Sequence, residues 1–298
     1  MRQTRVVVVG SANMDLVGTA PALPRPGETL LGTDFVMVPG GKGANQAVAA
    51  ARAGASCAFL GAIGSDSFGV TLRARITAAG VDTDQLRTTY GTSGVALVMV
   101  NAEGENAILV SPGANASMTG LTEPELTAVR GADVLLAQLE IPVATVTEAA
   151  LAARAAGTRV VLNAAPAVPV PPELLAATDL LVVNETEAQA LTGRGRDEPS
   201  ALLDLAARAV LTLGAEGAWY GDRDGTAVHV PAVKVDVVDS TAAGDAFTAA
   251  LAVAWGEGRD VVDAVRWAAA AGAACARRLG ASVALPTRAE IDELYVPA

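Results

Sequence analysis

Aromatic side chains make up 3% of this 298-residue sequence, histidine occurs once, and cysteine and lysine occur twice each. With one histidine and two cysteines, a Cys/His zinc site cannot be assembled. Cys57 and Cys275 lie in apolar, Ala-rich stretches, where buried reduced thiols are expected rather than a disulfide or a ligand. The shortage of lysine removes a class of nucleotide sites. A Walker loop needs G-x-x-x-x-G-K-[ST], and Lys42 and Lys234 are followed by Gly43 and Val235. The G-x-G-x-x-G pattern is absent, and the nearest approach to a nucleophile elbow, Gly91-Thr92-Ser93-Gly94-Val95, lacks its last glycine. Dinucleotide-dependent dehydrogenases and α/β-hydrolases therefore lose their signatures. His229, between Val228 and Val230, reads as a strand residue.

Basic residues are outnumbered 21 to 32, for a net charge of -11. Nucleic acid and anionic membranes would repel such a surface, so the expected partner is a small molecule. The apolar run 6–9, directly after residues 1–5, is too short for a signal peptide or a membrane span, and a cytoplasmic protein is expected.

What the chain has is aliphatic. Hydrophobic residues are 51% of the total, so the core is built from Ala, Val and Leu, a mix suited to helices flanking a parallel sheet. A strand is expected at 5–9, turns around Pro21, Pro24 and Pro26, and a second extended segment at 29–38. An Ala-rich helix follows at 42–53, ended by Gly54, then a strand at 56–63. Residues 95–100 and 106–110 read as a hairpin. Continuous apolar runs at 134–137, 159–162, 180–183 and 210–213 suit buried parallel strands, and helices are expected at 243–255, 261–277 and 288–294. The expected class is α/β, a three-layer, doubly wound, mostly parallel sheet flanked by helices.

The carboxyl ends of the strands in such a sheet border the ligand crevice. Asn13 and Asp15 follow the first strand, and Glu140, Asn163, Asn184 and residues 212–217 follow later ones. A helix cap or turn explains any one of them equally well, but their recurrence at one edge points to a site. Thr241-Ala242-Ala243-Gly244-Asp245 opens a helix with small residues, so unpaired backbone N–H groups can converge on an anion. A carboxylate just behind that cradle is placed to take a proton from a hydroxyl attacking phosphorus, although a first-turn acid complementing the helix dipole looks the same in isolation. In Gly40-Gly41-Lys42-Gly43-Ala44-Asn45-Gln46 the glycines let a polyol approach the backbone, and Lys42 and Asn45 offer donors. Asn184-Glu185-Thr186-Glu187 suits phosphate and hydrated Mg²⁺, or is an ordinary capping box.

Together with Asn13-Met14-Asp15, Gln138-Leu139-Glu140, Thr212-Leu213-Gly214 and residues 239–245, these segments resemble the ribokinase branch of the phosphofructokinase-B family of sugar kinases, in order and spacing over nearly the whole chain. The resemblance implies transfer of the γ-phosphoryl group of ATP to the 5-hydroxyl of D-ribose. It implies that Asn13, Met14, Asp15, Gly41, Lys42, Gly43, Ala44, Asn45 and Glu140 hold the sugar beside the base Asp245, with Ala242, Ala243 and Gly244 as the anion hole. It puts Asn184, Thr212, Leu213, Gly214, Ala215, Glu216, Gly217 and Ala269 at the nucleotide, with Gly244 and Asp245, and Glu187 on Mg²⁺ through water. An activating K⁺ falls to Asp239, the carbonyl of Thr241 and carbonyls around Cys275, Arg278, Gly280 and Ala284. The family's extra strands form a lid over the sugar and often a dimer clasp. Segments of about 12–40 and 92–112 are expected to supply it, within one domain spanning 1–298 that pairs as a homodimer.

The sequence departs from the family pattern in places. Ala269 stands where a polar residue is frequent, Thr248-Ala249 replaces a frequent Asn-Gly, Ala284 replaces a frequent serine, and the stretch from Gly193 to Val210 is shortened. These touch nucleotide and cation binding. A sister kinase for deoxyribose, fructose or a nucleoside, and a non-catalytic sugar-binding regulator, remain alternatives.

Overall fold

A computed structural model describes residues 3–297. Met1, Arg2 and Ala298, at the two ends of the expected single unit, lie outside them. The first half of the chain runs β1 (Arg5–Val9), β2 (Asn13–Thr19), β3 (Asp34–Gly40), α1 (Lys42–Arg52), β4 (Ser56–Leu60), β5 (Ala62–Gly64), α2 (Ser67–Ala78), β6 (Arg87–Thr89), β7 (Gly94–Val100), β8 (Asn106–Ser111) and α3 (Glu123–Gly131). The second half runs β9 (Val134–Ala137), α4 (Val143–Ala156), β10 (Arg159–Asn163), α5 (Pro172–Ala177), β11 (Leu180–Asn184), α6 (Glu185–Thr192), β12 (Arg208–Thr212), β13 (Ala218–Asp222), β14 (Ala227–Val230), α7 (Ala243–Gly256), α8 (Val261–Ala276) and α9 (Arg288–Leu294).

Eight strands form the central sheet in the order β14-β13-β12-β11-β10-β9-β1-β4, parallel from β4 through β12 and antiparallel beyond. The apolar runs are buried on both faces, and the period of two divides them between two cores. Val6, Val8, Val134 and Leu136 pack with α1, α7 and α8, while Val7, Val9, Leu135 and Ala137 pack on the other face with α3 and α4. From β1 the chain goes first to β4 on one side and later to β9 on the other, so the topological switch point lies between β1 and β9. A crevice is expected at their carboxyl ends. No helix among the described residues is long and apolar enough to cross a membrane.

A second sheet of four strands, β3-β2-β7-β8, stands over that edge. It occupies the segments expected for the lid, and it moves one boundary. Asn13 and Asp15, for which a cap or turn is an equal alternative in the sequence, begin β2 within the expected lid segment, and β2 pairs with β3 on one side and β7 on the other. The extended segment placed at 29–38 begins at Asp34, with residues 29–33 irregular. The strand expected at 56–63 is interrupted at Gly61, where the chain leaves the main sheet and β5 pairs with β6 instead. The strand expected at 210–213 runs from Arg208 to Thr212. Gly54 closes α1 as its composition suggested: at φ 105° its N–H reaches Ala51 O and that of Ala55 reaches Ala50 O, both at 3.0 Å, satisfying the last carbonyls of the helix. Both cysteines are free and buried, and His229 lies in β14.

Candidate active site

Two helix N-termini meet at the crevice. The first is that of α1. Its cap, Gly41, has φ 89°, and a Cβ there would lie 2.6 Å from the backbone nitrogen of Asn13, so only glycine lets the helix close on the end of β1. Glu140, just past β9, reaches across the switch point to this helix start. Its Oε2 accepts Ser11 Oγ at 2.5 Å and the Lys42 N–H at 3.1 Å, which fixes a carboxylate at the positive end of α1. Asn13 is buried and is held by Asn115, whose Nδ2 donates to Asn13 Oδ1 at 2.7 Å and whose Oδ1 accepts the Ala12 N–H at 3.0 Å. With its oxygen so engaged, Asn13 turns its own NH₂ toward other acceptors. The Asp15 carboxyl accepts no hydrogen bond among the described residues. Burial, then the charges of Glu140 and Asp245, push its carboxyl up to about 7 against the pull of Lys42.

The second N-terminus is that of α7. Its cap, Ala242, sits in the left-handed region at φ 61°, ψ 6°, the sole non-glycine residue at positive φ among those described. Such a conformation persists only where the surroundings hold it, and functional turns are a common place for it. Ala243 N–H donates back to Ser240 O at 3.1 Å, whereas the N–H groups of Ala242 and Gly244 have no partner among the described residues. The cradle expected from three residues is thus offered by two.

Asp245 follows in the first turn of α7 and is 9% exposed. Its Oδ2 accepts Asn45 Nδ2 at 3.0 Å and its Oδ1 accepts Gln46 Nε2 at 2.9 Å. Burial pushes its carboxyl above the usual range, and Lys42, Gln46 and Asn45 oppose the rise. Lys42, on the facing turn of α1, makes no ion pair among the described residues. Burial lowers the Lys42 ammonium, but the surrounding Asp245, Glu140, Glu187 and Asp15 outweigh it and leave its pKa raised, so it stays charged. Lys42 is thus a charged donor with no fixed ion-pair partner, free to turn toward a ligand in the crevice.

Between α7 and the ends of β11 and β12 lies a cavity of about 130 Å³, lined in part by Lys42, Asn184, Glu187, Thr212, Gly244 and Asp245. Asn184 and Glu187 form the capping box that the sequence allowed, each accepting the other's N–H at 2.8 Å. They also face the cavity, so the cap and the site are one feature. Burial pushes Glu187 up, against the Asn184 N–H and Lys42. The turn after β12, with Leu213, Gly214, Ala215, Glu216 and Gly217, lies beside the cavity rather than in its wall. Arg196, from the shortened stretch, ties this turn to α6 by pairing with Glu216 and Glu185. Ala269, buried in α8, is not among the lining residues.

Behind the α7 turn, Asp239 Oδ1 accepts Thr241 N–H at 2.9 Å and Thr241 Oγ1 at 2.6 Å, and its Oδ2 accepts Gly280 N–H at 2.9 Å. Despite burial, these bonds hold its carboxyl below the usual range. Cys275 Sγ contacts Thr241 O at 3.7 Å. Thr241, Cys275 and Gly280, among the residues whose carbonyls are expected at a monovalent cation, therefore lie about Asp239 and the α7 turn; the Arg278 side chain pairs with Glu290 and the Ala284 N–H donates to Ala281 O. No group of three His, Cys, Asp or Glu residues able to hold a metal occurs among the described residues.

Ser11, Asn115 and the amide of Gln46 also belong to the site. Their partners lie 129, 102 and 199 residues away, and no local pattern marks them.

The model of the pfkB family of carbohydrate kinases matches residues 3–288. The ribokinase of Haemophilus influenzae is 39% identical over 303 residues, covering 98% of each chain. That of Bacillus subtilis is 40% identical over 293 residues, covering 97% of this chain and 98% of its own. Among solved structures, Arabidopsis thaliana ribokinase complexed with ribose and ATP superposes with a TM-score of 0.93 at 33% identity, covering all of both chains.

Proposed function

The chain belongs to the pfkB family of carbohydrate kinases, and from that premise we propose that it is a ribokinase, transferring the γ-phosphoryl group of ATP to the 5-hydroxyl of D-ribose. The observation that carries this reading is the position of Asp245. It is a buried carboxylate at the start of α7, with the free N–H groups of Ala242 and Gly244 beside it and Lys42 facing it.

On this reading Asn13, Asp15, Asn45 and Glu140 receive the sugar hydroxyls, with Met14, Gly41, Gly43 and Ala44 shaping the floor. The three carboxylate and amide groups already fixed by Ser11, Asn115 and Asp245 need no rearrangement to do so, which limits the ordering cost of binding. Asp245 accepts the proton of the 5-hydroxyl as its oxygen bonds to phosphorus and the bond to the leaving diphosphate breaks. Ala242 and Gly244 N–H and the Lys42 ammonium hold the negative charge that moves across the transferred group. The triphosphate lies toward Asn184, Thr212 and the turn at Gly214 and Gly217, at the cavity end of the crevice.

Two ions fit the residues present. Glu187 commits Oε2 to its cap and keeps Oε1, which would hold the water shell of Mg²⁺; that ion supplies charge neutralisation for the phosphates. Asp239 and the carbonyls beside it would hold K⁺ and so brace the turn that carries Ala242. The lid also supports a homodimer. Phe35, Met37, Leu97, Ile108 and Leu109 are 43 to 65% exposed on it, more apolar surface than a lone sheet ordinarily gives to water. A kinase of free sugar and ATP is placed in the cytoplasm.

Coupled ADP-release assays with ribose, 2-deoxyribose, fructose and adenosine test the reading. The highest kcat/KM is expected for ribose; preference for another acceptor would reassign the substrate, and ribose binding without ADP release would leave only a sugar-binding protein.

A further inference from the structure

Gln46 is wholly buried behind Asp245, where no substrate can touch it, yet its amide is bound at every position that faces the base. Nε2 donates to Asp245 Oδ1 and to Asn163 Oδ1, both at 2.9 Å, and Oε1 accepts Gln138 Nε2. Asn163 in turn gives Nδ2 to Val182 O at 3.2 Å. The direction of each bond is dictated. A carboxylate only accepts, so Gln46 must present NH₂ to Asp245; Asn163 has its NH₂ on a main-chain carbonyl, so its oxygen faces Gln46; Gln138 supplies NH₂ to the oxygen that remains.

The arrangement carries a cost. Gln138 is also wholly buried, and its Oε1 has no partner, pressed against Gly10 where a Cβ would lie 2.0 Å away. A buried acceptor without a donor destabilises a fold, and a pair of apolar side chains at 46 and 138 would avoid it. The penalty is intelligible if the amide orientation serves the site.

We propose that Gln46, oriented by Gln138 and Asn163, is a positioning residue for phosphoryl transfer: it holds Asp245 Oδ1 from the rear while Asn45 holds Oδ2 from the crevice side. Terminal carboxylate rotation is otherwise broad. Gripped at both oxygens, the carboxylate presents one fixed edge to the attacking hydroxyl, and small displacements of a reacting group are expensive in rate. The inference rests on Asp245 being the base.

The test is a double-mutant cycle between Gln46→Leu and Asp245→Asn, read in kcat and KM with ribose and ATP. Gln46→Leu alone is expected to lower kcat about 10- to 100-fold with both KM values within about threefold of wild type, and to cost nothing further in the Asp245→Asn background. If Gln46→Leu does not fold, Gln138→Met, which frees the Gln46 amide to turn, is expected to give the same split at smaller amplitude. Unchanged kcat, a loss confined to KM, or an equal loss in the Asp245→Asn background would overturn the proposal. Full turnover of Asp245→Asn by itself would overturn the base assignment and this proposal with it, whereas a slow Asp245→Asn with an uncoupled Gln46→Leu would overturn this proposal alone.

Discussion

Asn45 Nδ2 donates to Asp245 Oδ2 at 3.0 Å, and this bond leaves Asn45 Oδ1 buried without a partner. One amide therefore steadies the base with its nitrogen and keeps an unpaired acceptor beside it. A sugar hydroxyl donating to that oxygen would remove the cost of leaving it unsatisfied. Asn45→Ala deletes both interactions, so kcat should fall and the KM for ribose rise, with kcat/KM lowered by about 10²-fold or more, as two hydrogen bonds near a charge imply. A change in kcat alone, measured by steady-state kinetics over ribose concentration, would remove Asn45 from the sugar contacts.

Asp245→Asn keeps the shape of the site and removes its proton acceptor. Turnover is expected to fall by on the order of 10² to 10⁴, with ribose affinity by calorimetry little changed. Near-native turnover would move the base elsewhere.

Asp15 supplies a pH dependence that can be separated from that of the base. Its carboxyl rises from an ordinary 3.8 to about 7 in the folded protein, chiefly through burial and then through Glu140 and Asp245. Ribose hydroxyls donate to the ionised form, so the Kd for ribose should rise as pH falls through about 7, up to tenfold per pH unit, and Asp15→Asn should bind more weakly but with a flatter profile. Stability moves the other way. Between pH 4 and 7 the native state binds the extra proton, so Asp15 contributes stability that is present below its unfolded pKa and lost as pH rises toward 7. Asp15→Asn is accordingly expected to be more stable than wild type at pH 8, on the order of 2 kcal/mol after allowance for its partial exposure, by chemical denaturation without sugar. A wild-type Kd that does not vary between pH 6 and 8 would contradict the linkage.

The legible and illegible parts of this protein divide along a physical line. The central strands could be read because each is a run such as Val134–Ala137, buried on both faces and bounded by polar residues. Strand β2 could not be read from its own pattern and comes only with the resemblance, since Asn13-Met14-Asp15-Leu16-Val17-Gly18-Thr19 lies in the lid with most of its residues half-buried, and neither face imposes an apolar alternation. In the site, Asn184 with Glu187 and the helix start at Asp245 are local patterns. The roles of Asn115, Ser11 and Gln46 exist only when segments more than 100 residues apart are brought to the same strand edge, so those residue types carry no sign of them in the sequence.

The lid offers a prediction about assembly. Ile108 and Leu109 on β8 and Phe35 and Met37 on β3 are exposed, and burying them against a second copy is the simplest way to shield them. Ile108→Asp with Phe35→Asp should give a monomer by light scattering where the wild type is a dimer. A monomeric wild type would dispose of the clasp.

Asp239 supports the most indirect prediction, because it sits behind the α7 turn and acts only through it. Its two oxygens join Thr241, the entry to α7, to Gly280, in the loop after α8, and the left-handed Ala242 comes directly after the first of these. If K⁺ sits among the carbonyls there, the cation and Asp239 together define where the Ala242 and Gly244 N–H groups point, and charge stabilisation at the transferred phosphoryl depends on both. Native enzyme should run several-fold faster in KCl than in tetramethylammonium chloride at matched ionic strength, and Asp239→Ala should lose on the order of 10- to 100-fold in kcat together with the difference between the two salts. The pH profile helps to separate this from Asp15. The Asp239 carboxyl lies below its ordinary 3.8, so its contribution to stability is present above that value and lost only as pH falls through the depressed folded pKa. The salt response should then be constant from pH 6 to 9 while ribose affinity changes. Equal rates in the two salts, or an Asp239→Ala variant that keeps the native preference for K⁺, would refute a cation at this turn without touching the assignment of Asp245.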